Sequence, residues 1–417
     1  MAEAALYVGT AIFVLTFVLL SIRSIRSYRL DRPAVALFGA ALMLATGIVA
    51  PRDATIAIEE GLGVLVLLLG MMLLVAGLDV CGFFDLVARR IAEVSRSQLH
   101  FLSLLFVSTA ILSALVLNDT IALLMTPIVV KTCRTMRVSA VPFLVSLALA
   151  ANIGSVATPV GNPQNAYIAI RAGIPFGTFA IRLLPVAAVS LGVGLLIVRF
   201  AFRRELSDRV AGFEEARKAT PLIVQPLGLR LTLAVVVGTV AAFALGPPDA
   251  LPYVALVGGS LVLLLLPALA HTTPRTLFEK VDWSVLILFL GLFIVMKGVE
   301  TSKLLGEITN RIGGGTLGSD IWRLTGASAV TSNLVSNVPA VLLLSPLVPA
   351  ARDSLWLALA ASSTLAGNAT ILGAAANMIV VQVAAKAGAE VSMKDFVKAG
   401  LPTAVVTVVL AAAWLSL

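Results

Sequence analysis

Charged residues, cysteines and histidines are all scarce in this chain. Of its 417 residues, 12% are charged and 59% are hydrophobic, whereas about 25% of a typical soluble domain is charged. This balance excludes a soluble globular domain. Although the net charge is +8, no solvated basic domain is left to hold nucleic acid, and the cations are expected in cytoplasmic loops. We therefore predict a polytopic membrane protein with the lipid bilayer as its surroundings.

Cysteine and histidine are too few for two common kinds of site. With two of each, the chain cannot build a disulfide framework or a cluster of His and Cys metal ligands. Cys81 and Cys133 share no motif and are expected at cytoplasmic ends of spans. No HExxH, GxSxG or paired catalytic aspartate motif occurs, so an enzyme is not expected. No cofactor is predicted except Na⁺ as a coupling ion, and any use of ATP would need a separate ATPase subunit.

The arginines indicate which ends of the apolar segments face the cytoplasm. The first segment, about 5–22, has no positive region before it and is followed by four arginines at 23–32. We therefore expect an uncleaved span whose N-terminus is outside. The next segments, about 34–50 and 62–78, are expected to cross outward and back, with the acidic stretch between them as an outer loop. Phe83 to Ser97 is predicted to form an amphipathic surface helix.

A polar group of residues interrupts the apolar stretch ALVLNDTIALLMTPIVV at 114–130. Asn118, Asp119 and Thr120 stand between two arms that are short for a crossing, which takes about 20 residues. An aspartate in hydrocarbon costs about 2.5–3.5 kcal/mol on insertion scales, so it is expected to have a function. We predict a re-entrant hairpin at about 101–130 with these three residues at its tip, facing protein or water.

The next segment, about 141–171, is long enough to cross the membrane, but its middle cannot form a regular helix. From Asn152 to Asn165 it reads NIGSVATPVGNPQN, with two prolines and two glycines close together. An unwound segment at membrane depth must line a cavity or be buried in protein. Discontinuous spans of this kind are typical of the binding sites of secondary transporters.

The same order of features returns in the second half of the chain. Residues 331–349 read TSNLVSNVPAVLLLSPLVP, and Asn337 follows Asn118 by 219 positions. A second broken span is predicted at about 356–383, where GNATILGAAAN resembles the first interrupted segment in its glycines and asparagines. Several matches in one order indicate an internal repeat.

The repeat defines the predicted domain organisation. An N-terminal repeat at 1–198 and a C-terminal repeat at 229–417 are joined by a charged cytoplasmic linker at 199–228, and the second hairpin lies at about 319–349. Each repeat has five spans, one of them broken, and one hairpin that does not cross. An odd number of crossings inverts the second repeat, so the predicted fold is an all-α polytopic membrane protein with two inverted repeats. The two tips would meet near the midplane beside the broken spans.

The candidate site consists of the polar residues at the two tips and in the two broken spans. Unwound carbonyl oxygens there can hold Na⁺, and half-helix N-termini can hold an anion. Some of these side chains, alternatively, only cap the broken helices. The candidates for substrate binding are Asn118, Asp119, Thr120, Asn162, Gln164, Asn165, Ser336, Asn337, Thr370 and Asn377. The candidates for the coupling ion, including Na⁺ at the tips, are Asn118, Asp119, Thr158, Gly161, Asn337, Asn368 and Gly373.

Two charged residues stand out within the predicted membrane region. Asp119 is the one acid at either tip, because Val338 takes its place in the second hairpin, and it is the candidate for proton or sodium coupling. Lys297 lies near the end of a predicted span. It is either a lysine whose ammonium group reaches the outer interface, or a partner for Asp119 or for an anion.

Four segments resemble known motifs of the ion transporter superfamily. LNDTIALLMTPIV resembles the Asn-Asp hairpin motif of arsenite permeases, and GNATILGAAAN is similar to the second broken-helix motif of the citrate-transporter-like group. NIGSVATPVGNPQN and SNVPAVLLLSPL are more similar to a related anion-permease branch of the bacterial inner membrane. The resemblance covers nearly the whole chain. It implies a multi-pass plasma-membrane carrier with a scaffold and a transport domain, often a homodimer, that works by an elevator motion.

The tips depart from one pattern in that superfamily. Sodium–dicarboxylate members carry Ser-Asn-Thr at both tips, whereas this chain has Leu117-Asn118-Asp119 and Ser336-Asn337-Val338. Because an ionised Asp119 would repel a dicarboxylate, we expect secondary transport of a small anion or a weak-acid oxyanion, such as arsenite or silicic acid, coupled to H⁺ or Na⁺. A Na⁺/H⁺ antiporter is the alternative. A di- or tricarboxylate symporter fits less well, as does an ion channel, which would need a continuous pore.

Overall fold

The computed structural model describes residues 2–21, 24–25, 28–29, 31–206, 224–302, 304 and 320–417. Within these residues the protein is helical, apart from two short antiparallel strands, Ser24–Ile25 and Tyr28–Arg29. Seven of the described helices are long and apolar enough to cross a membrane. The protein is therefore the helical, multi-pass membrane protein that the composition predicts.

The helices follow one another with short connections. In the first half they are Ala2–Ser21, Arg32–Ala45, Pro51–Val80, Phe83–Val94, Gln98–Leu115, Asn118–Thr135, Val141–Ser155, Pro163–Ala172 and Phe176–Ala201. In the second half they are Pro226–Leu245, Leu251–Leu269, Pro274–Glu279, Trp283–Thr301, Ile321–Val335, Asn337–Leu344, Asp353–Ala366, Ala375–Lys386 and Met393–Leu415. Short 3-10 turns occur at Pro248–Ala250, Ser345–Leu347 and Gly367–Ala369. Most of the linker expected at 199–228 lies outside the described residues.

The helix Pro51–Val80 corrects one expectation, because the acidic stretch after residue 50 is helical and not a loop. Pro51 occupies the first helical position, where its missing N–H would have no partner in any case, and Ala50 before it is extended. Asp53 lies in the first turn, where a negative charge suits the helix dipole. The charged residues therefore lengthen the third helix at its N-terminal end.

The first hairpin consists of the helices Gln98–Leu115 and Asn118–Thr135. Val116 between them is extended, with φ −142° and ψ 165°, so the helix cannot continue through it. The backbone N–H of Asn118 donates to the carbonyl oxygen of Gly161 at 2.9 Å. The tip of the hairpin is thus attached through its backbone to the chain that follows it.

The first broken span consists of the helices Val141–Ser155 and Pro163–Ala172. Pro163 starts the second helix, and the side chain of Asn162 caps it by accepting from the backbone N–H of Asn165 at 2.8 Å. Every residue from 142 to 166 is buried. The unwound turn is therefore enclosed by protein, as irregular backbone at membrane depth must be.

The second hairpin consists of the helices Ile321–Val335 and Asn337–Leu344, joined by Ser336. Ser336 has φ 78° and ψ 165°, a backbone conformation that is almost restricted to glycine and costs about 1–3 kcal/mol in other residues. The second broken span consists of Asp353–Ala366 and Ala375–Lys386. The strained residue thus lies at the tip of the second hairpin.

The helices outside the hairpins and broken spans pack closely through glycines. A Cβ added to Gly70 would lie 2.3 Å from the backbone of Ala255, and one added to Gly291 would lie 2.6 Å from the backbone of Ala36. These contacts join helix Pro51–Val80 to Leu251–Leu269 and helix Arg32–Ala45 to Trp283–Thr301. The second pairing brings the N-terminal ends of its two helices next to the hairpin tips.

Candidate functional site

A cluster of buried asparagines connects the first tip to both broken spans. Nδ2 of Asn118 donates to Oδ1 of Asn152 at 3.1 Å. Nδ2 of Asn152 in turn donates to Oδ1 of Asn368 at 2.9 Å and to Oδ1 of Asn377 at 2.8 Å. All four side chains are buried. A buried amide that lost its partners would cost about 1–3 kcal/mol for each unpaired group, so the cluster holds these segments together.

A second cluster connects the other tip to the first broken span. Nδ2 of Asn162 donates to Oγ of Ser155 at 3.0 Å, and Nε2 of Gln164 donates to Oγ1 of Thr364 at 3.0 Å. The amide of Asn337 satisfies both of its ends when its nitrogen donates to the carbonyl oxygen of Gly373, at 2.9 Å, and its oxygen accepts from Gln164, at 3.2 Å. The second tip therefore contacts residues from both halves of the chain.

The unwound turn of each broken span is held by an equivalent pair of hydrogen bonds. Nδ2 of Asn165 donates to the carbonyl oxygens of Ser155 and Thr158 at 2.9 and 3.0 Å. Nδ2 of Asn377 donates to the carbonyl oxygens of Gly367 and Thr370 at 2.8 and 2.9 Å. Corresponding residues in the two sets are 212 positions apart. The two unwound turns therefore have the same local hydrogen-bond geometry.

A glycine lies at the closest approach in each unwound turn. A Cβ on Gly161 would lie 2.3 Å from the carbonyl oxygen of Ser155, and a Cβ on Gly373 would lie 2.5 Å from that of Gly367. Real Cβ atoms do not approach this closely, so no larger residue fits in either turn without moving the backbone. The two glycines are also 212 positions apart.

A cavity of about 460 Å³ lies between the two tips and the N-terminal ends of four other helices. Its charged lining consists of Asp31, Arg32, Asp119 and Asp282, and Ser336 adds a hydroxyl. Nη1 of Arg32 donates to Oγ of Ser336 at 3.2 Å. Because Arg32 begins the helix that follows the arginine-rich segment, the cavity is expected to open toward the cytoplasm.

Asp119 lies in this cavity near a cation and a helix N-terminus. Its carboxylate interacts with the charge of Arg32 and faces the backbone N–H of Ala376, in the first turn of helix Ala375–Lys386. It also faces the like charge of Asp282. Three groups from distant parts of the sequence thus surround the acid of the first tip.

Arg32 and Asp282 were missed by the sequence analysis, and Lys297 was considered in their place. Nζ of Lys297 forms an ion pair with Glu300 at 2.9 Å, and Lys297 lines a different cavity. The alternative in which it pairs with Asp119 is therefore wrong, and the cation beside Asp119 is Arg32. One signal in the sequence distinguishes Arg32: among the four arginines that follow the first helix, it directly precedes a proline, at a helix start.

The second cavity, of about 220 Å³, lies on the other side of the broken spans from Arg32. Arg171 and Glu60 approach within 4.0 Å there. Tyr167 closes the inner side, with its hydroxyl 3.1 Å from Oγ of Ser345 and its ring stacked on Phe293 at 6.3 Å. This cavity is expected to face the outside, because it lies at the opposite ends of the helices from Arg32.

Several buried oxygen atoms near the tips have no hydrogen-bond partner within the described part of the chain. They are Oγ of Ser113, Oδ1 of Asn165, Oδ1 of Asn333 and Oγ1 of Thr370. Gly161 passes close to Ser113, since a Cβ on that glycine would lie 2.9 Å from the carbonyl oxygen of Ser113. Unwound carbonyl oxygens and neutral side-chain oxygens are the ligands that transporters offer to Na⁺, so the residues present fit such an ion.

The predicted site residues fall into four groups. Asn118, Asn162, Gln164, Asn165, Asn337, Asn368 and Asn377 belong to the buried amide clusters. Asp119 and Ser336 line the larger cavity. Thr158 bonds to the carbonyl oxygen of Ala114, Thr370 contributes its own carbonyl oxygen, and Thr120 is half-buried beside Asp119. Gly161 and Gly373 shape the two turns.

Comparison with known proteins gives consistent matches along the chain. The family model described as Citrate transporter matches residues 15–361. An uncharacterized transporter of Mycobacterium tuberculosis (strain H37Rv) is 30% identical, over 98% of this chain and 97% of that protein. The silicon efflux transporter of Oryza sativa subsp. japonica is 29% identical over 95% of each chain. The solved YdaH transporter of Alcanivorax borkumensis, at 14% identity, has a TM-score of 0.57 and covers 85% of this chain and 83% of its own, which indicates a similar fold.

Proposed function

Because the chain belongs to the citrate transporter family, we propose that it is a secondary active transporter of a small anion or weak-acid oxyanion, coupled to H⁺ or Na⁺. The family itself establishes a membrane transport protein and not an enzyme. The cavity of about 460 Å³ between the two tips supports the proposed substrate class and coupling. An arginine and a helix N-terminus converge in it on Asp119, the one acid of the tips, and the hydroxyl of Ser336 accepts from that arginine.

An oxyanion suits this cavity better than a large multivalent carboxylate. Arg32 is one cation among three acids in the lining, so a ligand of high negative charge would meet net repulsion. A weak acid that carries little or no charge near neutral pH avoids this cost. The similarity to a silicon efflux transporter supports the same class of substrate, whereas the family description favours citrate. Arsenite, silicic acid and citrate are therefore the first compounds to test.

Two cavities on opposite sides of the amide clusters support alternating access. The larger one reaches Asp119 from the side of Arg32, and the smaller one ends at Tyr167. We assign the two hairpins and two broken spans to a moving transport domain and the glycine-packed helices to a scaffold. In this proposal the halves 1–198 and 229–417 are inverted repeats, and an elevator motion exchanges the two cavities. The scaffold is proposed to form a homodimer.

The coupling ion is proposed to be carried at the tips. For H⁺ the carrier is Asp119, which faces the larger cavity. For Na⁺ the ligands would be the tip asparagines, the residues of the unwound turns and the unpaired hydroxyl of Ser113, and the ion would supply positive charge next to the substrate. Apart from Ser113, both arrangements use residues that the sequence predicts for the site.

Transport into proteoliposomes tests the proposal. Purified protein would be reconstituted and given arsenite, silicic acid, citrate or phosphate with an imposed pH gradient, an imposed Na⁺ gradient, or neither. We expect uptake of at least one oxyanion, saturable and faster with one of the gradients, and none in liposomes without protein. Uptake of none of the four compounds under any gradient would contradict the proposal.

A Na⁺/H⁺ antiporter is the second candidate, because Asp119 and Asp282 both face the cavity and two carboxylates can exchange cations. The same proteoliposomes separate the two functions when they contain a pH-sensitive dye. An antiporter would move protons when Na⁺ is added alone, with no anion present. The proposed anion transporter would require the substrate for this proton movement.

A further inference from the structure

Arg32 is the one cation among the described residues that line the larger cavity. Its guanidinium group carries five N–H donors in a planar fork, and one of them donates to Ser336. Such a fork matches the geometry of carboxylates and oxyanions, which it can bind through two parallel hydrogen bonds. The group is therefore equipped to bind an anion in the cavity while it remains attached to the second tip.

Asp119 lines the same cavity and places a carboxylate in it. It interacts with the charge of Arg32, and it faces the backbone N–H of Ala376 at the start of a helix of 12 residues. A helix N-terminus favours a negative charge, as a guanidinium group does. The two groups in the cavity that attract anions are thus both directed at one side chain of the protein.

The other two acids of the cavity are placed differently. Asp282 begins its own helix and accepts from the backbone N–H of Ser284 at 3.1 Å, and Asp31 is exposed. An anion from solution would then meet the charge of Asp119 at the point where Arg32 could bind it. When Asp119 takes up a proton from water in the cavity, that charge disappears and the donors of Arg32 and Ala376 face the cavity.

We propose that Arg32 is the anion-binding residue of this site, and that the ionised carboxylate of Asp119 occupies the anion site whenever the substrate is absent. A substrate anion then binds together with a proton on Asp119, and both leave on the other side of the membrane. Each must strengthen the binding of the other by the same factor, which is the requirement for H⁺-coupled symport. The inference rests on the proposed transport function and names its anion receptor.

Sulfate is a suitable probe, because a guanidinium group and helix N–H groups bind it whatever the natural substrate is. Its affinity for the purified full chain would be measured by the shift in thermal unfolding with millimolar sulfate at constant ionic strength. At pH 8 we expect Asp119→Asn to bind sulfate at least about tenfold more tightly than the wild type, a factor that corresponds to about 1.4 kcal/mol. The wild type should approach the variant at pH 5. Adding Arg32→Gln to Asp119→Asn should abolish the gain, while Arg32→Lys in its place should retain part of it.

The control variant is Asp282→Asn, which removes one negative charge from the same cavity without freeing Arg32. Equal sulfate affinities for Asp119→Asn and Asp282→Asn would mean that only net charge matters and would overturn the proposal. The proposal would also be overturned if the double variant with Arg32→Gln still bound sulfate as tightly as Asp119→Asn, or if sulfate did not shift the thermal unfolding of Asp119→Asn. The transport function is tested separately in proteoliposomes. If uptake is observed but sulfate binding does not follow these expectations, the role of Arg32 as anion receptor is wrong and the transport function stands. If sulfate binding follows them but no compound is taken up, the transport proposal is wrong.

Discussion

Asn152 and Asn377 join the two halves of the chain: Nδ2 of Asn152 donates to Oδ1 of Asn377 at 2.8 Å, across 225 positions of sequence. Each residue belongs to a different broken span, and each also bonds within its own neighbourhood. Asn152 accepts from the first tip, and Asn377 holds open the unwound turn of the second span. We therefore expect the tips and both broken spans to move together in the proposed transport cycle.

We predict that Asn152→Ala destabilises this body and abolishes uptake. The substitution removes three hydrogen bonds and leaves buried amide groups on Asn118, Asn368 and Asn377 without that partner, at about 1–3 kcal/mol for each unpaired group. The thermal midpoint should fall measurably in detergent. Ser146→Ala is the matched control on the same helix, because the buried hydroxyl of Ser146 bonds only to a carbonyl oxygen one turn away. Wild-type uptake by Asn152→Ala would show that the cluster is dispensable.

We predict that Gly161→Ala and Gly373→Ala each prevent transport. The added methyl group would lie 2.3 or 2.5 Å from a backbone carbonyl oxygen, so the unwound turn must shift. Gly192→Ala is the control, since a Cβ there meets no atom within 4 Å and alanine favours a helix by about 1 kcal/mol. The control should keep full uptake and an unchanged or higher thermal midpoint. Equal uptake and equal thermal midpoints for all three variants would mean that the unwound turns accommodate a methyl group.

The strain at Ser336 predicts an order of stability among variants. Glycine accommodates φ 78° and ψ 165°, so Ser336→Gly should raise the thermal midpoint by relieving part of about 1–3 kcal/mol of strain. Ser336→Ala keeps the strain and loses the bond to Arg32, so its midpoint should be the lowest of the three proteins. Both variants should transport less well than the wild type. A midpoint for Ser336→Gly below that of Ser336→Ala would mean that strain does not limit stability here.

The membrane orientation can be tested with two engineered cysteines. Arg204 follows the last span of the first half and is expected in the cytoplasm, whereas Asp249 lies between two spans of the second half and is expected outside. Both side chains are exposed, and the native Cys81 and Cys133 are fully buried, so background labelling should be low. In intact cells an impermeant maleimide should label Asp249→Cys and not Arg204→Cys. The reverse pattern would invert the assignment of both cavities.

The sequence could predict the breaks in the helices because their causes are local. Pro163, Gly161 and Asn162 determine where one helix ends and the next begins, whatever packs around them. The pairing of the asparagines was not predictable in the same way. The sequence identifies Asn152 and Asn377 as polar groups at membrane depth, but a pattern cannot tell whether two amides bind a ligand or each other. That outcome depends on how segments from the two halves pack.

Arg32 shows more clearly what a sequence pattern cannot predict. In the sequence it is the last of four arginines, and a cluster of that kind is fully explained by membrane orientation. It reaches the site because its helix packs on Trp283–Thr301 through Gly291, and this contact also brings Asp282 to the cavity. A residue placed by long-range packing leaves no periodic signal. Lys297, by contrast, is conspicuous in the sequence because it lies in an apolar run, yet it pairs with Glu300 one turn away.

We predict that Asp119→Asn uncouples transport from the pH gradient. Asp119→Asn resembles the protonated acid in shape and charge, so the variant should fold, bind the substrate and still move it down a concentration gradient. It has no carboxylate to carry a proton, and an imposed pH gradient should therefore no longer accelerate uptake in proteoliposomes. Asp282→Asn, which leaves Asp119 in place, should keep the response to the pH gradient. If Asp119 is instead a ligand of Na⁺, the variant will need more Na⁺ for half-maximal uptake and will keep its pH response. A variant that responds to both gradients as the wild type does would exclude Asp119 from coupling.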